Sequence, residues 1–109
     1  MDMTSLVFPR GNDVVVTAQY GPEITTGTGM NAELYTKDNR STPDSDPSVQ
    51  LYTADVHADP DNAAQFISTF EVPSSDTGIP GAYWWRVDII DAFSARRTVN
   101  SGPLLVEAV

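Results

Sequence analysis

The side chains best equipped for chemistry in this chain are acidic and lie where the sequence reads as turns. Asp55, Asp59 and Asp61, with Asn62 beside them, are hard oxygen donors, and Asp44 with Asp46 forms a second such pair. Calcium takes roughly six to eight oxygens, so these carboxylates are the weak calcium candidates of the sequence. Their spacing departs from the twelve-residue calcium loop, because Pro60 interrupts it and no glutamate closes it. Aspartate and asparagine also stabilise turns through bonds to their own backbone, and that is the expected role of all five aspartates. No metal ion or cofactor is expected.

The single histidine, His57, has no partner for nucleophilic catalysis: the chain holds no cysteine and no Gly-x-Ser-x-Gly elbow. General acid–base work needs convergent groups, so the chain is expected not to be an enzyme. Gly27-Thr28-Gly29 lacks the lysine and the further glycine of a phosphate cradle and reads as a connector. Tyr83-Trp84-Trp85 offers rings on which a sugar can stack. On a strand, however, Trp84 and Trp85 point to opposite faces, which puts one in the core and leaves the other as an interface anchor. Arg96 and Arg97 are separated in the same way, and pairing with Asp88 or Asp91 across a neighbouring strand is expected.

The elements that must position these groups are strands. Apolar residues recur with a period of two in short stretches bounded by Gly, Pro, Asn, Asp and Ser. Strands are expected at 4–8, 13–20, 30–37, 48–56, 65–72 and 82–91, with a short helical turn near 60–64. A closing hairpin is expected from 95–100 and 104–109 across Ser101-Gly102-Pro103. Phe66 and Phe70 fall on one face of their strand, and Tyr83, Trp85, Val87 and Ile89 on one face of theirs, so both sets are expected inside. Residues 38–47 contain no large apolar side chain and read as an exposed loop that would tolerate insertion. About seven such strands predict an all-β fold, an antiparallel β-sandwich, formed as a single domain over residues 1–109.

Composition limits the partners. The chain has 109 residues, 15 acidic against 6 basic, and a net charge of -9. An acidic chain gains nothing from releasing counterions on phosphates, so neither nucleic acid nor an anionic membrane is an expected partner. No apolar run has the length of a membrane helix, and the first residues lack the basic and apolar regions of a signal peptide. The partner is expected to be protein. Arginine outnumbers lysine five to one, a codon-level hint of a GC-rich genome.

Two segments carry a likeness to a known family. Phe8-Pro9-Arg10-Gly11-Asn12-Asp13-Val14-Val15-Val16 is one; Gly81-Ala82-Tyr83-Trp84-Trp85-Arg86-Val87-Asp88-Ile89, continued by Arg97-Thr98-Val99 and Gly102-Pro103-Leu104-Leu105-Val106, is the other. Together they span about half the chain and resemble the immunoglobulin-like domains of tailed-phage structural proteins, such as the N-terminal domain of baseplate upper proteins. The stretch from Gly21 to Asp76 departs from that pattern, with Thr28-Gly29-Met30-Asn31-Ala32 leading into the third strand. The resemblance implies an immunoglobulin-like sandwich and a virion structural protein, assembled in the host cytoplasm. A freestanding domain of this type is expected to be a capsid decoration or minor capsid protein. Its partner would be the major capsid protein or another virion protein, with many copies or a homo-oligomer in the particle. A tail or baseplate component and a carbohydrate- or receptor-binding module are the alternatives. Phe8, Arg10 and Trp84 are the expected interface residues.

Overall fold

The computed structural model describes residues 6–20, 30–91 and 95–107. The Gly27-Thr28-Gly29 connector and the outermost expected strand residues, Thr4, Ser5, Ala108 and Val109, lie outside them. The described residues form eight strands: β1 (Leu6–Phe8), β2 (Val14–Gln19), β3 (Asn31–Lys37), β4 (Gln50–Asp55), β5 (His57–Asp59), β6 (Asn62–Val72), β7 (Gly81–Ile90) and β8 (Arg96–Val106). They make two sheets, β1-β8-β7-β3-β4 and β2-β6-β5. Every pairing is antiparallel except β1 with β8. The chain is an all-β sandwich, as the period of two requires.

The core is what alternation predicts. From the larger sheet come Phe8, Leu34, Trp85, Val87, Ile89, Leu104 and Val106; from the smaller come Val16, Phe70 and Val72. Phe66 is partly buried against the same cluster. Register explains how the smaller sheet presents one apolar side: Val14 pairs with Val72 and Val16 with Phe70, so four inward residues stand together.

Three local expectations are corrected. Where a hairpin is expected over 95–109, residues 96–106 form one continuous strand, β8, with a register shift opposite Val87 and Asp88. Gly102 does not turn the chain there; it lies opposite Trp85 within the strand and is buried. Pro103 is tolerated in the strand because, among the described residues, β1 pairs with β8 only from Leu104 onward. The expected strand at 48–56 ends earlier, at Asp55, and after the buried Val56 the chain enters the other sheet as β5. The Val56 amide donates to the Met30 carbonyl at 3.3 Å, which holds this crossing. The expected helical turn at 60–64 is instead the tip of a hairpin. Asp59 pairs with Asn62 across Pro60-Asp61, and the Asp61 amide donates to Asp59 Oδ1 at 2.9 Å, a turn closed by its own side chain.

The entry to β7 is fixed from inside. Tyr83 lies one turn of chain beyond Ile79 and its hydroxyl donates to the Ile79 carbonyl at 2.9 Å, a tyrosine corner that ties the β6–β7 connection to the strand it feeds. Gly81, at φ +153, has the Tyr83 ring against the place where a Cβ would stand, at 3.5 Å. Phe70→Ala should lower unfolding free energy by about 3–5 kcal/mol in urea titrations, because Phe70 is fully buried between the sheets. Val15→Ala, at an exposed site on the partner strand, should cost less than about 0.5 kcal/mol.

Candidate functional site

The outer face of the five-stranded sheet carries Trp84, Asp88 and Arg96 among the side chains that the sequence singled out, and it divides into two halves. One half is ionic. Asp88 on β7 is only 1% exposed although it faces outward, because its carboxylate is covered by its own partners. It accepts from Arg86 Nε at 3.0 Å, from Arg96 Nη1 at 3.2 Å and from the Thr98 hydroxyl at 2.8 Å. Arg96 also donates to Glu33 Oε1, and Glu33 Oε1 accepts from the Tyr35 hydroxyl at 2.9 Å. The Arg86 guanidinium lies over the Tyr35 ring, 4.3 Å from its centroid, and its two terminal nitrogens grip Asp44 at 3.0 and 2.8 Å.

Asp44 belongs to the 38–49 connection between β3 and β4, so this bidentate pair folds the connection back over the sheet. Lys37, 6% exposed at the end of β3, adds a second tie: its ammonium donates to the Thr42 carbonyl at 2.8 Å and to Asp44. Bonds from Arg86 and then Lys37 hold the Asp44 carboxyl down to about 2. Burial, followed by the Glu33 carboxylate, pushes the Tyr35 phenol up, so that it stays a donor. Three cations and three anions make up the network, which is therefore neutral; the whole -9 of the chain resides elsewhere.

The other half is apolar. Val7, Leu105 and Ala82 stand side by side across β1, β8 and β7, with Pro103 and Trp84 forming the next outward row. Val7 and Leu105 are 55% and 47% exposed. Trp84 is half-buried, and the Arg40 guanidinium sits 5.7 Å from the centroid of its ring. Trp84 is thus an outward, half-buried ring on a sheet face. Phe8 is not a surface residue: it is 3% exposed and packs in the core, and Val7 beside it is the outward side chain of β1. Arg10 is exposed in the turn that follows β1, where the Gly11 amide, at φ +76, donates to the Thr77 carbonyl at 2.9 Å. Trp84 and Arg10 are therefore exposed or partly so, and Phe8 is withdrawn from the face.

The acidic turns are accounted for singly. Asp55 lies 3.5 Å from His57 Nδ1, Asp59 closes its own turn, and Asp46 Oδ1 accepts from the Ser48 amide and hydroxyl at 2.9 and 2.7 Å. Among the described residues no group of three or more His, Cys, Asp or Glu is placed to hold a metal ion. Asp44, a turn donor by sequence, has a cross-sheet pairing that sequence reasoning missed. Its partner Arg86 is 42 positions away, and no local pattern links the two. Arg96 with Asp88 is the cross-strand pair anticipated between the arginines and the β7 acids.

No protein-family model matches the chain, and no curated protein matches it.

Since the Asp44 carboxyl titrates lower in the folded chain than its ordinary 3.8, it stabilises the fold above pH 4, and that contribution is lost as pH falls toward 2. Acid titrations followed by circular dichroism should show Asp44→Asn losing less stability than the parent across this window. At neutral pH, Asp44→Ala should cost about 2 kcal/mol, because it leaves the buried Lys37 ammonium with the Thr42 carbonyl alone.

Proposed function

We propose that this chain is an immunoglobulin-like domain that works as a non-enzymatic virion structural protein, decorating or cementing the head of a tailed phage. Strand order supports the fold assignment. The order β2-β6-β5 corresponds to the B, E and D strands of an immunoglobulin sandwich, and β8-β7-β3 to G, F and C, with β4 added as C′. The tyrosine corner lies at the start of the F-equivalent strand, and Trp85 stands two residues on, at the position the inter-sheet cysteine takes in antibody domains. In this chain the buried Trp85 stands where that cysteine would, and the chain has no cysteine to form the bridge.

The docking role is carried by the apolar half of the outer face. Val7, Ala82, Trp84, Pro103 and Leu105 form one outward cluster beside a charge-neutral network, the arrangement of an apolar interface core with a polar rim. A partner that covers it desolvates few unpaired charges. The partner on this reading is the major capsid protein or a neighbouring virion protein, and copies repeated around the particle multiply weak contacts into avidity. Arg40 occupies one side of the Trp84 ring on which a sugar would stack, which favours protein docking over glycan binding.

Shells assembled without this protein should capture the purified chain in co-sedimentation. Trp84→Ala and Leu105→Asp should each weaken capture by about 30-fold, the scale of an interface anchor, with melting temperature near that of the parent. Parent-like capture by both variants would remove the face from the docking role. Density for the chain on tail rather than head, in electron microscopy of the particle, would move the reading to a tail component.

A further inference from the structure

A second candidate contact lies at the end of the sandwich, between β4 and the 3-10 turn Ser74–Asp76. A cleft of about 300 Å³ opens there between the two sheets. Its floor is apolar, built from Phe8, Val72, Leu104 and Val106. Its mouth is acidic, with one carboxylate from each side. Asp38 follows the end of β3 in the larger sheet, and Asp76 lies in the turn after β6 of the smaller. The Tyr52 hydroxyl donates to Asp76 Oδ2 at 2.8 Å. Burial, and then that bond, push the phenol well above its ordinary value, so it remains a donor and holds Asp76 as an acceptor.

Among the described residues neither Asp38 nor Asp76 takes part in an ion pair. Lys37 borders the cleft, but its ammonium is held by Asp44 and the Thr42 carbonyl. An anionic ligand would meet two carboxylates on a chain of charge -9. A wholly apolar ligand would strip water from those carboxylates without replacing it. A divalent metal lacks a set of three ligands among the described residues. What remains is a group with an apolar stem and a cationic head.

Resting on the reading of this chain as a protein-docking domain, we propose that the cleft receives an arginine side chain of the partner protein, its methylenes on the Phe8–Val72–Leu104 floor and its guanidinium at Asp38 and Asp76. Arginine suits the site better than lysine. Its planar head carries five donors that can serve two carboxylates from different elements, and it stacks on tyrosine rings such as Tyr52 and Tyr83. Single occupancy of such a half-open site is weak, and repeated copies in a particle would compound it.

The test reads the isolated chain by amide NMR during titration with N-acetyl-L-arginine methylamide, against the citrulline counterpart as a neutral isostere. Saturable shifts are expected at Gln50, Gly78 and Ile79, with citrulline binding about tenfold weaker or less. Asp38→Asn should weaken the arginine probe by about tenfold while leaving melting temperature unchanged, since Asp38 makes no ion pair among the described residues. Absence of saturable shifts, equal binding of citrulline, or an unaffected Asp38→Asn variant would each overturn the proposal. These readouts need no shell, so failure here is distinct from failure of docking through the Trp84 face.

Discussion

A carboxylate withdrawn from water on the outside of a sheet is the constraint around which one whole face is arranged. Asp88 is 1% exposed, and a buried charge with no partner costs several kcal/mol, on the order of 3–5 when a pair is broken. Arg86, Arg96 and Thr98 supply the required donors. Each arginine then needs a second acceptor for its remaining nitrogens. Arg96 finds Glu33, and Arg86 finds Asp44, which brings the 38–49 connection down over β3 and β7. Lys37 is sheltered by the same connection. The connection is thus held by charge rather than by apolar contact, which explains how a segment with no large hydrophobic residue lies in a defined place.

Between the sheets the constraint is different, because the chain has no cysteine and joins its two layers by packing and hydrogen bonds. Trp85 is one of the buried residues that do so. It reaches inward from the central strand of the larger sheet, opposite Gly102 on the next strand. Tyr83, two residues earlier, anchors the connection that arrives from the smaller sheet. Large aromatic burial and one hydroxyl bond therefore meet on a single strand, β7, whose opposite face carries Asp88 and Arg86. The two halves of the architecture share that strand, so a change of register in β7 would disrupt the core and the ionic face together.

Much of this could be read from residue order, and the parts that could not share a cause. Alternation placed Phe70, Trp85, Val87 and Ile89 inside and Trp84 outside, because a half-buried strand writes its facing into every second residue. The same rule applied to β1 puts Leu6 and Phe8 inward and Val7 outward, so an interface role for Phe8 runs against the parity of its own strand. Gly102-Pro103 carries the ordinary marks of a turn, yet cross-strand pairing with Trp85 and Trp84 keeps it in the strand. Asp44 is the extreme case. An aspartate between prolines in a polar segment is locally a turn residue, and only a partner 42 positions away makes it a clasp. Non-local pairing is what local pattern does not encode.

The division of the outer face also bears on how an acidic chain can dock. Three anions and three cations cancel within the network. Next to it, Val7, Leu105 and Trp84 offer apolar area whose burial stabilises a contact at roughly 25 cal/mol per Å². Covering such a surface desolvates groups that have already satisfied one another, which lowers the polar cost of association. The -9 lies on other surfaces, including the turns at Asp59 and Asp61 and the mouth formed by Asp38 and Asp76. Like charge there repels other acidic surfaces and draws basic ones from a distance. On the proposed docking role, charge and apolar contact area therefore fall on different surfaces of one small sandwich, and neither has to be weakened for the other.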